Sequence, residues 1–269
     1  MSMNAIQFQR GLSLPQFQAL YGTEPQCERA LVAARWPHGW QCAHCGCKRF
    51  FLTRNGQGRQ LGVSYKSAWR LKHKLMQTME VRDARYRLQG RVEIDDAYLG
   101  GERAGSIHGG RKPANKSAFI AAVQTRADGR PLYIHLTPVA DFSNQDVRQW
   151  ALRHLAPTSH VVSDGTPAFA QVRQAGATHE RHVTGGGRQG AQTPQLHWVN
   201  TVLGNLKTSM AGTDHAFDHA RYGARYLAEF CYRFNRRFDL AAMLTRLLRA
   251  LATTGPLPLK VLRLSEVGR

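Results

Sequence analysis

The sequence predicts an α/β protein, in which a mostly helical N-terminal region precedes a longer region of alternating strands and helices. From residue 89 onward, polar and apolar residues alternate over 91–95, and two strand-like runs flank the turn Ala-Asp-Gly-Arg at 127–130. A helical pattern, a short apolar strand and a second helical pattern follow. The chain has 269 residues, of which 42% are hydrophobic, so it can form one large or two modest domains with a hydrophobic core.

The N-terminal region begins with two short helices, which we expect between Ser13 and Trp36. Thr23 is a suitable N-cap for the second helix, and Gln26 stands at the third helical position, where it completes a capping box. A cysteine cluster at 42–47 comes next. A further helix is predicted from the N-cap Ser64 to about residue 79.

Hydrophobic periodicity predicts the remaining elements. The runs 119–125 and 132–137 are expected to form an antiparallel hairpin, and 160–163 a short buried strand. Helices are expected at 144–155, 194–210, 224–234 and 240–251.

The charge of the chain indicates a polyanionic partner. There are 37 Lys and Arg against 18 Asp and Glu, which gives a formal net charge of +19 spread along nearly the whole sequence. A membrane surface could also attract such charge, but no apolar run of membrane-spanning length occurs, and residues 1–15 lack the apolar core of a signal peptide. We therefore expect a soluble, cytoplasmic protein. Five cysteines, three of them at 42–47, do not resemble a secreted disulfide framework.

Two aspartates stand where predicted strands end. Asp95 ends the strand that begins at residue 91, and Asp164 directly follows the strand at 160–163. Carboxylates at adjacent strand ends can converge on one cation, and hard cations such as Mg²⁺ or Mn²⁺ take oxygen ligands and support chemistry on phosphodiesters. Taken alone, a strand-end aspartate is also typical of a turn or a helix cap.

The helix predicted at 194–210 adds two polar residues. Asn200 and Lys207 are seven positions apart, or two helical turns, so they share one face beside the apolar stripe. That face offers an amide oxygen and an ammonium group to a metal and a phosphate. The alternative is an ordinary solvent-exposed face.

Four segments together resemble bacterial insertion-sequence transposases of the ISXO2-like (IS1595) group. The similarity lies at 93–101 (EIDDAYLGG), 162–165 (VSDG), 197–207 (HWVNTVLGNLK) and 230–237 (FCYRFNRR), and it spans about 90–240. It implies an RNase H-like fold with a DDE-type site, in the variant that has Asn as the third residue. By position it implies that Asp95 and Asp164 are metal ligands, Asn200 the third site residue and Lys207 the accompanying base.

Two other acidic residues are alternatives at these positions. Asp96 is the nearest rival to Asp95, but strand alternation turns it toward the opposite face. Asp214 is a less well placed alternative to Asn200, whose neutral amide should bind a second metal less tightly than a carboxylate. The resemblance implies hydrolysis at the ends of a mobile element, followed by attack of the freed 3′-OH on target DNA, with Mg²⁺ or Mn²⁺ as cofactor.

The helix that starts near Ser64 resembles the second helix of a helix-turn-helix. In that interpretation Lys66, Ser67 and Arg70 face the major groove, whereas Lys72 and Lys74 contact phosphates. A basic helix that is merely solvated is the alternative.

The cysteine cluster resembles half of a zinc ribbon. Cys42 and Cys45 have the spacing of two zinc thiolates, but the next cysteine after Cys47 is Cys231, so a second pair is missing. On the family pattern the chain is internally shortened near Gln60 and Leu61. Zinc binding therefore stays open, with His38, His44 or Cys47 as candidates to complete a site.

These observations predict four regions and one main function. The regions are the N-terminal helices and partial ribbon at 1–60, the helix-turn-helix-like helix and linker at 61–88, the catalytic core at 89–240 and a C-terminal helix and tail at 241–269. We expect a transposase that binds double-stranded DNA at inverted repeats and at its target, as a homo-oligomer. A catalytically inactive DNA-binding remnant and a cellular RNase H-like nuclease are the alternatives.

Overall fold

A computed structural model describes residues 11–41, 46–48, 65–100, 116–183, 193–214, 217–260 and 262–263, without the side chains of residues 65, 66, 68, 213 and 214. The contacts divide the chain into two compact units, Met1–Met79 with Arg236–Leu257, and Glu80–Asn235 with Pro258–Arg269. The four region boundaries expected from the sequence stay a prediction.

The first unit is helical over the residues that the structure describes. Its helices are α1 (Leu14–Tyr21), α2 (Glu24–Arg35), most of α3 (Tyr65–Asp83) and α7 (Leu240–Thr253), and α2 packs against α7. The expected N-cap at Thr23 is confirmed, because its backbone amide donates to Oε1 of Gln26 at 2.9 Å. Asp239 caps α7 by accepting from the amide of Ala242 at 3.2 Å.

The second unit is built on a five-stranded mixed sheet. Its strands are β1 (Arg91–Leu99), β2 (Ser117–Thr125), β3 (Pro131–Pro138), β4 (His160–Ser163) and β5 (Thr178–Arg181), in the order β3-β2-β1-β4-β5. The strands β1, β2 and β3 pair antiparallel, whereas β4 pairs parallel with β1 and β5 parallel with β4. Three antiparallel strands followed by two parallel ones form the RNase H-like arrangement. The predicted fold class is therefore confirmed.

Helices cover both faces of this sheet. On one face, α4 (Asn144–His154) and a 3₁₀ segment (Pro167–Ala175) pack on a core that includes Val92 and Ile94. On the other face, α5 (His197–Ser209) and α6 (His219–Asn235) pack on a core that includes Leu99. Because side chains alternate along a strand, even-numbered residues of β1 face α4 and odd-numbered ones face α5.

The last residue of α6 satisfies the outer strand of the sheet. The side chain of Asn235 accepts from the backbone amide of Ile134 at 2.8 Å and donates to the carbonyl of the same residue at 3.1 Å. It also donates to Asp83 at 3.2 Å. Because β3 is an edge strand, this amide side chain supplies hydrogen bonds that a further strand would otherwise make.

Two elements were absent from the sequence-based expectations, namely β5 and the 3₁₀ segment at Pro167–Ala175. Strand β5 has only four residues, all polar, and none of them is fully buried, so it carries no period-two apolar signal. It exists because its backbone pairs with β4. The helix expected at 194–210 begins instead with a 3₁₀ turn (Pro194–Leu196) and ends in a π-helical turn (Met210–Asp214).

Among the residues that the structure describes, no helix is both long and apolar enough to cross a membrane.

Two histidines lie side by side between the sheet and α4. His135 of β3 and His154 of α4 have ring centroids 4.9 Å apart, and His135 Nε2 lies 2.9 Å from the carbonyl of Tyr86. Burial, together with the neighbouring His135, lowers the pKa of His154 from 6.5 to about 3. Burial also lowers the pKa of His135. Both rings are therefore neutral in the folded protein at neutral pH.

The pair predicts a loss of stability in acid. Between pH 6.5 and 3 the unfolded chain binds a proton at His154 that the folded chain does not, so the free energy of unfolding should fall by up to about 1.4 kcal/mol per pH unit. His154→Phe should remove this component. Urea unfolding of both proteins from pH 8 to pH 4 measures the difference, with pH 8 as the internal reference. A difference between the two proteins that does not change with pH would contradict the assignment.

Candidate metal centre

The pairing of β1 with β4 brings the two sequence-predicted aspartates together. These strands run parallel, and Ile94 of β1 lies opposite Ser163 of β4, so the next residues, Asp95 and Asp164, lie at the same level. Neighbouring strands are about 4.8 Å apart. Carboxylate oxygens of Asp95, Asp96 and Asp164 all lie within 4.8 Å of one another. Over the residues that the structure describes, this acidic cluster is the one group of at least three His, Cys, Asp or Glu side chains close enough to hold a metal ion.

Asp96 belongs to this cluster although it faces the other side of the sheet. As expected from strand alternation, its carboxylate contacts Thr166, which precedes the 3₁₀ segment on the α4 side. It still belongs to the cluster, because its carboxylate lies within 4.8 Å of the carboxylates of Asp95 and Asp164. A preference for one face thus does not remove Asp96 from the cluster.

Burial and the crowding of negative charge perturb Asp95 most. Burial, together with the neighbouring charges of Asp164 and Asp96, raises the pKa of Asp95 from 3.8 to about 7. The backbone amide of Asp96, which donates to Oδ1 of Asp95 at 2.9 Å, opposes this shift, and so does the positive charge of Lys207. Burial likewise raises the pKa of Asp96. The site therefore carries negative charge that a cation would stabilise.

Thr166 holds the cluster in place, and the sequence-based predictions missed it. Its backbone amide donates to Oδ1 of Asp164 at 3.1 Å, and its hydroxyl donates to Oδ1 of Asp96 at 2.8 Å. The first contact is an Asx turn, which the Asp-Gly-Thr sequence after a strand could have indicated. The second joins residues 70 positions apart, and no local pattern signals it.

Helix α5 brings a positive charge to the acidic cluster. Lys207 is solvent-exposed and lies close enough to Asp95 to lower its pKa. The buried side of α5 is formed by Val199, Val202 and Leu206. Asn200 lies two turns before Lys207 on the same edge of that apolar side, because seven residues complete about two turns. Among the described residues, no hydrogen bond links the side chain of Asn200 to a cluster carboxylate, so its role as third ligand stays a prediction.

The residues predicted to contact DNA or zinc lie in the first unit. Ser67, Arg70 and Lys72 of α3 are exposed and Lys74 is partly buried, while the side chain of Lys66 lies outside the described residues. Cys42 and Cys45 also lie outside them, as does the side chain of Asp214. Their predicted roles stay predictions.

Comparison with known families identifies the chain. Residues 87–235 match the model of the ISXO2-like transposase domain, and residues 22–61 match that of the transposase zinc-ribbon domain. The first match contains all of the sheet, α4, α5, α6 and the acidic cluster. The chain belongs to the ISXO2-like transposase family.

Solved structures offer only distant likenesses. The catalytic core domain of BIV integrase is 14% identical with a TM-score of 0.30, over 52% of this chain and 82% of that one. The Mos1 transposase paired-end complex is 11% identical with a TM-score of 0.27, over 70% and 65% of the two chains. The catalytic domain of Mos1 mariner transposase is 11% identical with a TM-score of 0.25, over 72% and 98%. These scores are too low to carry an argument. A search of curated proteins finds no match.

The donor set fits a divalent cation. Three carboxylates supply only oxygen atoms, which are the ligands that Mg²⁺ and Mn²⁺ prefer, and their mutual distances suit a shared ion. Burial and the negative charges of Asp164 and Asp96 raise the pKa of Asp95, and a bound cation would offset both effects. The acidic cluster can therefore bind metal.

Removing the charge of Asp95 should stabilise the metal-free protein. Because its folded pKa is about 7, above the ordinary value of 3.8, ionised Asp95 costs stability that grows from about pH 4 to pH 7 and stays constant above. Asp95→Asn should therefore raise the Tm at pH 8, by about 2–4 °C for each kcal/mol gained. Thermal unfolding in EDTA at pH 8 measures this difference in Tm, and Asp128→Asn in the exposed β2–β3 turn is the control. A Tm at or below that of the wild type would contradict the electrostatic assignment.

Thr166→Val should weaken metal binding. It retains the backbone amide that supports Asp164 but removes the hydroxyl that joins Asp96 to the turn. Loss of such an outer contact lowers metal affinity about tenfold or more. Titration with Mn²⁺ followed by electron paramagnetic resonance measures the dissociation constant. Thr178→Val, on β5 beside His160, is the matched control and should leave that constant unchanged. Equal affinity in both variants would show that Thr166 does not support the cluster.

Proposed function

We propose that this chain is a metal-dependent DNA transposase, which cleaves DNA at the inverted-repeat ends of an insertion sequence and joins those ends to target DNA. The observation that supports this function best is the acidic cluster, in which Asp95, Asp96 and Asp164 lie within 4.8 Å of one another inside the transposase domain. Chemistry on phosphodiesters needs such a concentration of oxygen ligands for divalent cations.

Each site residue has a role in this proposal. Asp95 and Asp164 would hold Mg²⁺, or Mn²⁺ in its place, and the amide oxygen of Asn200 would be the third ligand. The cation would supply activation of the attacking oxygen and neutralisation of charge on the phosphate. Lys207 places a positive charge beside Asp95, where it can bind a phosphate oxygen and stabilise the charge that develops during attack.

The proposed reaction has two steps. Hydrolysis breaks the bond between phosphorus and the 3′ oxygen at the end of the element, and water supplies the oxygen of the resulting 5′ phosphate and the proton of the 3′-OH. In the second step, this 3′-OH attacks a target phosphodiester, a new phosphorus–oxygen bond forms, and the target strand leaves with its own 3′ oxygen protonated. Each step replaces one phosphodiester oxygen by another, so no covalent intermediate with the protein is needed.

The charge of the chain suits double-stranded DNA as the partner. A net charge of +19 favours binding to phosphates and makes the affinity strongly dependent on salt. Helix α3 exposes Arg70 and Lys72 for such contacts. Assembly as a homo-oligomer is part of the proposal, because two ends of an element must be processed in concert.

One observation favours a second candidate function, a DNA-binding remnant without activity. No cysteine occurs between Cys47 and Cys231, so the ribbon matched at residues 22–61 lacks a second cysteine pair. A ribbon that cannot close around zinc would impair recognition of specific ends while leaving non-specific binding in place.

Cleavage and joining of labelled element ends distinguish these functions. With Mg²⁺ or Mn²⁺, the wild-type chain should produce nicked and joined products, whereas Asp164→Ala should lower the rate by about 10²-fold or more because a ligand is lost. Binding to the same DNA, measured by anisotropy, should change by no more than a few-fold. Asp128→Ala, in the exposed β2–β3 turn, should retain wild-type activity. If all three proteins bind DNA and none cleaves it, the chain is a DNA-binding remnant without activity.

A further inference from the structure

A buried carboxylate lies two residues before Asp95 on the same face of β1. Glu93 is only 1% exposed, and its Oε2 accepts from the backbone amides of Trp198 at 2.8 Å and Val199 at 2.9 Å. Its other oxygen, Oε1, accepts from Nη1 of Arg91 at 2.6 Å. Both oxygens of this buried acid are therefore paired, as a charged group away from water requires.

Glu93 replaces the missing N-cap of α5. The residue at the N-cap position, Leu196, has no side chain that can accept a hydrogen bond, and the amides of Trp198 and Val199 are the second and third of the helix. Such amides need an acceptor, and a carboxylate at a helix N-terminus is also stabilised by the helix dipole. This cap comes from a strand 105 positions away in sequence, which ties α5 to β1 rather than to its own preceding loop.

Arg91 adds a second link to the start of α5. While Nη1 pairs with Glu93, Nη2 donates to the backbone carbonyl of Gln195 at 2.6 Å, in the 3₁₀ turn just before α5. Arg91 and Glu93 lie on the same face of β1. Arg91 thus binds the carbonyl just before α5, and Glu93 binds the amides of its first turn. We call this set of contacts the Arg91–Glu93 anchor.

The anchor sets where α5 lies along β1. Asp95 is about 7 Å beyond Glu93 along the strand, and Lys207 is about 12 Å beyond Val199 along the helix. The apolar contacts of Val199, Val202 and Leu206 hold the helix on the sheet, but such contacts are non-directional and tolerate sliding. The hydrogen bonds of the anchor are directional and fix one position and one rotation.

We propose that Glu93, held by Arg91, is a positioning residue for the transposase reaction, which fixes α5 so that Asn200 and Lys207 face Asp95. This inference rests on the proposed function. Glu93 does not touch the reacting atoms, and it acts through the helix. Displacing a catalytic group by about 1 Å can cost 10²-fold in rate.

Hydrogen exchange and cleavage rates, measured on the full chain, test the anchor together. In Glu93→Ala the amides of Trp198 and Val199 should exchange about tenfold faster or more, and cleavage of labelled DNA ends should fall about 10²-fold. Glu93→Gln retains a carbonyl acceptor but loses the ion pair with Arg91, so both effects should be intermediate. Ser143→Ala removes the N-cap of α4 in the same unit and is the matched control for loss of stability. It should change neither the exchange of the α5 amides nor the cleavage rate.

A double variant separates positioning from general destabilisation. If Glu93 acts by placing Lys207, then Glu93→Gln should lower cleavage far less in a Lys207→Met background than in the wild type, because the group being positioned is already absent. Unchanged exchange in α5 of Glu93→Ala, or equal losses of cleavage in both backgrounds, would overturn the proposal. If the wild-type chain does not cleave DNA at all, the proposed function fails, and the exchange data still decide whether Glu93 anchors α5.

Discussion

The burial of three mutually repelling carboxylates is the constraint to which the rest of the second unit is fitted. Asp95, Asp96 and Asp164 lie within 4.8 Å of one another in a partly buried place, and burial and repulsion raise the pKa of Asp95 to about 7. The amide and hydroxyl of Thr166 and the ammonium of Lys207 offset part of the unfavourable energy of this negative charge. The acidic cluster suits a divalent cation, because the surrounding residues offset only part of its negative charge.

Residues with a local pattern were predictable from the sequence, and residues that act at long range were not. Asp164 directly follows β4 as expected, whereas the expectation that Asp95 ends its strand was wrong, because Asp95 lies inside β1. The 3.6-residue period placed Asn200 and Lys207 on one edge of α5. The five-residue alternation at 91–95 identified β1, although the strand continues to Leu99. Strand β5 was missed because four polar residues carry no periodicity. The contacts of Thr166 and Glu93 were not predicted because their partners lie 70 and 105 positions away.

The two family matches describe parts of the chain that differ in completeness. The transposase domain at 87–235 contains the full sheet, both helical layers and the acidic cluster. The zinc-ribbon match at 22–61 contains Cys27, Cys42, Cys45 and Cys47 but no second pair of cysteines with the spacing of Cys42 and Cys45. A folded catalytic unit does not depend on that pair, because its core is formed by its own strands and helices. In the proposed function, the N-terminal region selects the specific DNA ends.

The parallel pairing of β1 with β4 also has a consequence for the order of folding. The β2–β3 hairpin joins segments that are close in sequence and can form early, whereas Asp95 and Asp164 are 69 positions apart and meet only after α4 has crossed over the sheet. Repulsion between the two aspartates therefore opposes a late step rather than the first collapse. The barrier therefore falls on the joining of β4 to β1, a non-local step that the β2–β3 hairpin does not need.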